Sequence, residues 1–219
     1  MGSVVTVSGA VGGVGTSTFA YALALQPSGT AVLIDGQPDG VPLDVAIGLE
    51  ATPGARWSNV RLGSADIAVP TVLDALPQAH GVHVLSADRE ATVHATALAL
   101  LVEALRDTCA LVVLDVPIRT AELAPLRPDL RLLLVPPTLQ GLGAALVASR
   151  MDHAVIAVDT GHRGLPIGML HQYLEHPVVG SVRWQRAITD AAAACLPPPA
   201  GTDVMRLAGL IWGGITDAT

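Results

Sequence analysis

Residues 4–18, VVTVSGAVGGVGTST, decide how this chain is read. Val4, Val5, Thr6 and Val7 form a β-branched run that predicts a buried strand. A glycine-rich turn follows, Gly12-Gly13-Val14-Gly15, and Thr16, Ser17 and Thr18 then open a helix that continues through Leu25. Strand, glycine turn and helix start make a phosphate cradle. Glycines let backbone N–H groups turn inward, and the helix N-terminus adds partial positive charge. The candidate nucleotide-binding residues are therefore Gly12, Gly13, Val14, Gly15, Thr16, Ser17 and Thr18. Ser17 stands where a P-loop places its magnesium-binding hydroxyl.

The charge such a loop needs is missing. A P-loop carries lysine directly after its last glycine, and here that residue is Thr16. The chain has no lysine at all; its twelve basic residues are arginines. The formal net charge of −7 argues against binding to a phosphate backbone, which needs clustered Lys and Arg. Cys109 and Cys195 are isolated, which suits reduced, buried cysteines rather than a disulfide framework. No signal peptide and no eighteen-residue apolar run is present.

At 219 residues and 51% hydrophobic content, the chain has enough material for a large core. Apolar runs alternate with helical patterns along its length. Strands are expected at 30–34, 82–86, 110–114, 130–135, 154–158 and 178–182. Helices are expected at 43–48, 71–76, 91–106, 118–126, 139–150, 165–174, 185–194 and 204–212. This β-α alternation predicts an α/β fold of three layers, a mainly parallel sheet of about seven strands with helices on both faces. The whole of 1–219 reads as one such domain. Ligands of these sheets sit at the carboxyl ends of the strands. There the glycine loop, Asp35 after the second strand and Asp115 after LVVL should meet. Asp115 in that position has the pattern of a Walker B carboxylate, which holds magnesium directly or through water.

The segment GAVGGVGTST resembles the deviant Walker A loop of the MinD/ParA ATPases, xKGGxGK(S/T). Val11 stands at the signature lysine; Gly12, Gly13, Gly15 and Ser17 match; Thr16 replaces the P-loop lysine. VLIDGQPDG resembles the switch I segment VLLxDxDPQG, with Asp35 and Pro38 matching and Gln37 at the hydrolytic aspartate. LVVLDVP resembles the DxPP segment through Asp115 and Pro117. The stretches PLDVAIGLEATPGARW, VHVLSADR and LLLVPPTLQGLGAA are similar to the CpaE/TadZ-like and septum-site-determining branch, typified by LDxxLGxExxPGxRW. Many proteins of that branch carry a receiver-like domain at the N-terminus, and none is read in this sequence.

What the resemblance implies is a P-loop fold, ATP or ADP at the glycine loop, magnesium held by Ser17, Asp35 and Asp115, and a homodimer. The departures imply weak nucleotide binding or none. Charge-assisted hydrogen bonds contribute about 1.5–3 kcal/mol each, so losing two lysines weakens ATP binding roughly 10²–10⁴-fold. Gln37 orients water but is no base, so hydrolysis is not expected and no catalytic residue is assigned. The resemblance then points to a pseudo-ATPase in the cytoplasm, recruited to the membrane's inner face or a cell pole. It would serve as a positioning scaffold for Tad-type pilus or secretion assembly, or for septum placement.

The alternative is a working ATPase in which Arg119, Arg183 or Arg186 restores the charge. A third reading, DNA partitioning, conflicts with the net charge. The seven histidines form no metal constellation: His80 and His83, or His171 and His176, lack an HExxH or a cysteine partner. No GxSxG elbow supports a serine hydrolase. The helix at 204–212 carries one basic residue, Arg206, where an interfacial anchor wants several, so it is expected to pack on the domain.

Overall fold

Strand β1 (Ser3–Gly9) is the axis of the sheet. In the computed structural model, which describes residues 1–37, 40–60, 67–88, 95–118, 126–148, 152–159, 161 and 164–218, β5 (Leu111–Asp115) flanks it on one side. On the other side lies β6 (Leu130–Val135). Beyond β5 come β2 (Ala31–Asp35), β4 (Val82–Leu85) and the two-residue β3 (Gln78–Ala79). Beyond β6 come β7 (Ala154–Asp159) and β8 (Val178–Arg183). All neighbours pair in parallel except β3 with β4. Among the described residues the sheet thus has eight strands, close to the expected seven or so. The extra one is β3, too short and too polar at Gln78 to read as a strand.

A parallel sheet covered on both faces needs apolar side chains at successive positions, and these strands supply them. Val5, Val7, Leu111, Val113, Leu132 and Leu134 point to one face. There they meet α1 (Thr16–Ala24) and α8 (Asp203–Asp217). Val4, Val112 and Leu114 point to the other, under α4 (Ala95–Arg106) and α3 (Val69–Ala75). Farther along that face, Leu133, Val135, Val155 and Ala157 are covered by α5 (Leu139–Ala148) and α6 (Ile167–Tyr173). Helix α2 (Leu43–Ala46) and helix α7 (Arg186–Ala193) close the first face near the carboxyl ends of the strands.

Boundaries move where tertiary contact overrides local signals. Helix α8 runs past Gly213 and Gly214, because Ile211 and Ile215 pack on the core beyond the buried Val204, Leu207 and Ala208. Helix α3 starts before Thr71, since Pro70 sits in its first turn, where its missing N–H costs nothing. Cys109 is buried, but Cys195 is only partly so. It follows α7 with a φ of 54°, in the left-handed position that commonly ends a helix. The expected helix at 118–126 falls largely on residues 119–125, outside the described residues; so do 91–94 of the helix expected at 91–106 and 149–150 of the one expected at 139–150.

Residues 43–59, after β2, hold only the four-residue α2 and a 3-10 turn, so side chains fasten this stretch. Arg56 does most of this. Its Nε donates to Asp44 Oδ2 at 2.7 Å, and its two terminal nitrogens donate to the carbonyls of Leu49, Thr52, Gly54 and Ala55. Asp44 is fixed in turn by Ser86, whose Oγ accepts the Asp44 N–H at 3.1 Å and donates to Oδ1 at 3.2 Å. Trp57, buried in a 3-10 turn (Trp57–Asn59), donates its indole N–H to the Asp35 carbonyl at 2.7 Å.

The Arg56 and Asp44 side chains are each 12% exposed. Removing one member of a buried pair strands the other. Arg56→Ala should therefore destabilise the protein by about 3 kcal/mol in urea unfolding; a loss under about 1 kcal/mol, the range of an exposed ion pair, would contradict this role.

Candidate functional site

Three carboxyl ends converge because the strands are in register. Val7 of β1 lies opposite Asp115 of β5, and Asp115 lies opposite Asp35 of β2. The β1 end continues into the glycine loop, the β5 end into Val116-Pro117, and the β2 end into Gly36-Gln37. Beyond β1 the chain order reverses toward β6, which makes this the switch point of the sheet, where such folds place ligands.

The loop itself has the geometry of a cradle. Gly13 and Gly15 take φ values of 74° and 94°. Gly15 is also the residue before α1, and it offers no side chain to the first-turn N–H groups. A side chain at Gly15 would collide with the ring of Trp184, which lies 2.2 Å from where a Cβ would stand. Trp184 follows β8, and its indole N–H donates to Thr189 at 3.1 Å. No feature of the sequence links Trp184 to the loop. The Thr16 hydroxyl lies over Gly9, 2.4 Å from the place of a missing Cβ. Val14 is buried in the core, while Gly12 and Gly13 are exposed. Gly12, Gly13, Gly15 and Thr16, but not Val14, border a cavity of about 500 Å³ that also touches Ser17, Thr18, Gln37, Pro117 and Trp184.

No arginine lines that cavity among the described residues. Arg183 is exposed, and only its backbone N–H is engaged, with Asp203. Arg186 is 92% exposed and pairs with Asp190 on its own helix. Arg119 lies outside the described residues, as does Pro38.

Asp35 and Asp115 do not line that cavity; both are buried, and Asp115 reaches it only through its bonds to Ser17 and Gln37. Asp35 accepts three backbone N–H bonds: from Gln37 at 3.0 Å, Leu43 at 3.0 Å and Ala87 at 3.2 Å. It thereby ties the turn after β2 to α2 and to the end of β4. Asp115 accepts from the Ser17 hydroxyl at 2.5 Å on Oδ2, and from the Gln37 amide at 2.5 Å on Oδ1. Burial pushes the Asp115 carboxyl up to about 6, against the lowering effect of those two donors, with Asp35 adding a smaller upward push. Burial raises Asp35 too, opposed by its backbone donors.

The histidines stand apart. His80 meets the Tyr21 hydroxyl at 2.8 Å, and His83 meets the Leu73 carbonyl at 3.0 Å. Among the described residues, no group of three potential metal-ligating side chains occurs, and no helix is long and apolar enough to cross a membrane.

No protein-family profile matches the chain. Two uncharacterized proteins, from two strains of Mycobacterium tuberculosis, are each 31% identical over 226 residues. The match takes in 88% of this chain, which spans only 62% of the length of those relatives. Solved structures share the whole fold. A ParA family ATPase from Chlorobium tepidum superposes with a TM-score of 0.72 at 14% identity, over 97% of this chain and 99% of its own. The MinC:MinD cell division complex of Aquifex aeolicus gives 0.73 at 18% identity, over 96% of each chain. A plasmid partition protein of Borrelia burgdorferi bound to AMPPNP gives 0.69 at 12%, over the full length of both. The chain has the fold of the MinD/ParA P-loop ATPases.

Because Asp115 titrates higher in the native state than its ordinary 3.8, the folded protein holds more protons than the unfolded chain between about pH 4 and 6. Stability is lost as pH rises through that window. Asp115→Asn keeps an oxygen for Gln37 and a polar contact for Ser17 without the buried charge. It should gain about 2–3 kcal/mol over the parent at pH 8 and almost nothing at pH 4. Urea titrations at the two pH values check this; a loss of stability at pH 8 would contradict it.

Proposed function

We propose that this chain is a MinD/ParA-fold pseudo-ATPase that works as a positioning scaffold. One observation carries the reading: no cationic side chain faces the glycine loop among the described residues. Phosphoryl transfer depends on positioning and on neutralising the charge of the phosphates. Residues 12–18 offer backbone N–H groups, the Thr16 hydroxyl and the start of α1, enough for a weak hold on ATP or ADP and too little for turnover. Were a nucleotide to bring magnesium, Ser17, Asp35 and Asp115 would be the residues to hold it, but only with Gln37 displaced from Asp115.

A scaffold needs a surface rather than a reaction. Val41 is 71% exposed and Val45 is exposed beside it, in the segment that the buried Arg56 system holds still. Such a fixed apolar surface suits a second copy of the chain or a protein of a pilus, secretion or division apparatus. Its net charge disfavours DNA. In this reading the protein acts from the cytoplasm and reaches the membrane or a pole through its partner.

Calorimetric titration with ATP and ADP, each with magnesium, tests the reading. The expected outcome is a dissociation constant in the millimolar range or no heat, about 10²–10⁴-fold weaker than a site with both lysines. A micromolar constant with phosphate release that depends on Asp115 would contradict it.

A further inference from the structure

We infer that the Gln37 carboxamide is a built-in substitute for the divalent cation of this fold, and that it latches the segment after β2 onto the end of β5 without any ligand. The inference deepens the pseudo-ATPase reading and concerns the same site.

A magnesium or calcium site needs anionic oxygens that face a common space with lone pairs free. The donor set here does not meet that need. Asp115 Oδ2 is met by the Ser17 hydroxyl and Oδ1 by Gln37 Nε2, each at 2.5 Å. Asp35 has both oxygens committed to the N–H groups of Gln37, Leu43 and Ala87. Both carboxylates are 2% exposed, so water does not supply further partners in quantity. The residues present therefore do not fit a magnesium ion while Gln37 stays where it is.

Gln37 is held at both ends. Its backbone N–H binds Asp35 at the end of β2, and its side chain binds Asp115 at the end of β5. It thus bridges the two carboxylates that a cation would otherwise draw together, supplying proton donors where the ion would supply charge. A carboxylate at position 37 could not do this, because it would face Asp115 as a like charge in a buried site. Glutamine here is more than the loss of a base. It adds a donor that closes the site, and the Gln37–Asp115 bond needs no phosphate to form.

Manganese alone, without nucleotide, is the probe, followed by electron paramagnetic resonance on the full chain. The parent protein should show no bound manganese at millimolar metal. Gln37→Leu, which removes the donor and bares Asp115 Oδ1, should bind at least about tenfold more tightly. Gln37→Glu adds a third carboxylate and should bind more tightly still; it also serves if the leucine variant does not fold. Manganese bound by the parent as tightly as by either variant would overturn the latch. So would folded variants that both fail to bind it. Because no nucleotide is present, these results do not depend on how weakly ATP binds, and a failed latch leaves the calorimetric test intact.

Discussion

A buried carboxylate that has to be satisfied by protein groups is the constraint on which this site depends. Asp115 ends a fully buried strand of the sheet and lies where three loops meet. A charge in that position is costly to desolvate unless donors reach it. Two do, one from the start of α1 and one from the turn after β2. Those bonds join the glycine loop to the neighbouring switch-like segment.

A second buried polar system supports the first from behind. Asp35 gathers three N–H groups, Trp57 seizes its carbonyl, and Arg56 with Asp44 and Ser86 fastens the chain that follows. Residues 43–59 contain little regular structure, so these side chains take the place of a ladder or a helix. The arrangement explains why the stretch PLDVAIGLEATPGARW has so specific a pattern. Its aspartate, arginine and tryptophan are partners in one network and are not a surface motif.

Much of this was legible in the sequence. β-branched and leucine-rich runs gave away the parallel strands, since both faces of such a sheet are apolar. The glycine loop and the two strand-end aspartates followed from the same logic, and they do meet at one end of the sheet. Other features were not legible. Gln37 reads as an absent carboxylate, and only its reach in space reveals a donor to Asp115. Arg56 reads only as one letter of the PGARW segment, with no partner named, until its carbonyl contacts are seen. Trp184 is far from Gly15 in sequence, and its contact depends on how β8 ends. β3 and the last turns of α8 depend on tertiary packing, which local pattern does not encode.

If Gln37 latches the end of β2 to β5, the Gln37 and Leu43 N–H groups stay bonded to Asp35 regardless of nucleotide. Hydrogen exchange of peptides covering residues 31–47, followed by mass spectrometry with and without millimolar Mg·ATP, tests that most directly. Slow exchange at Gln37 and Leu43 is expected in both states, with no difference between them. Fast exchange in the free protein that slows on adding Mg·ATP would contradict it, because the segment would then be a working switch.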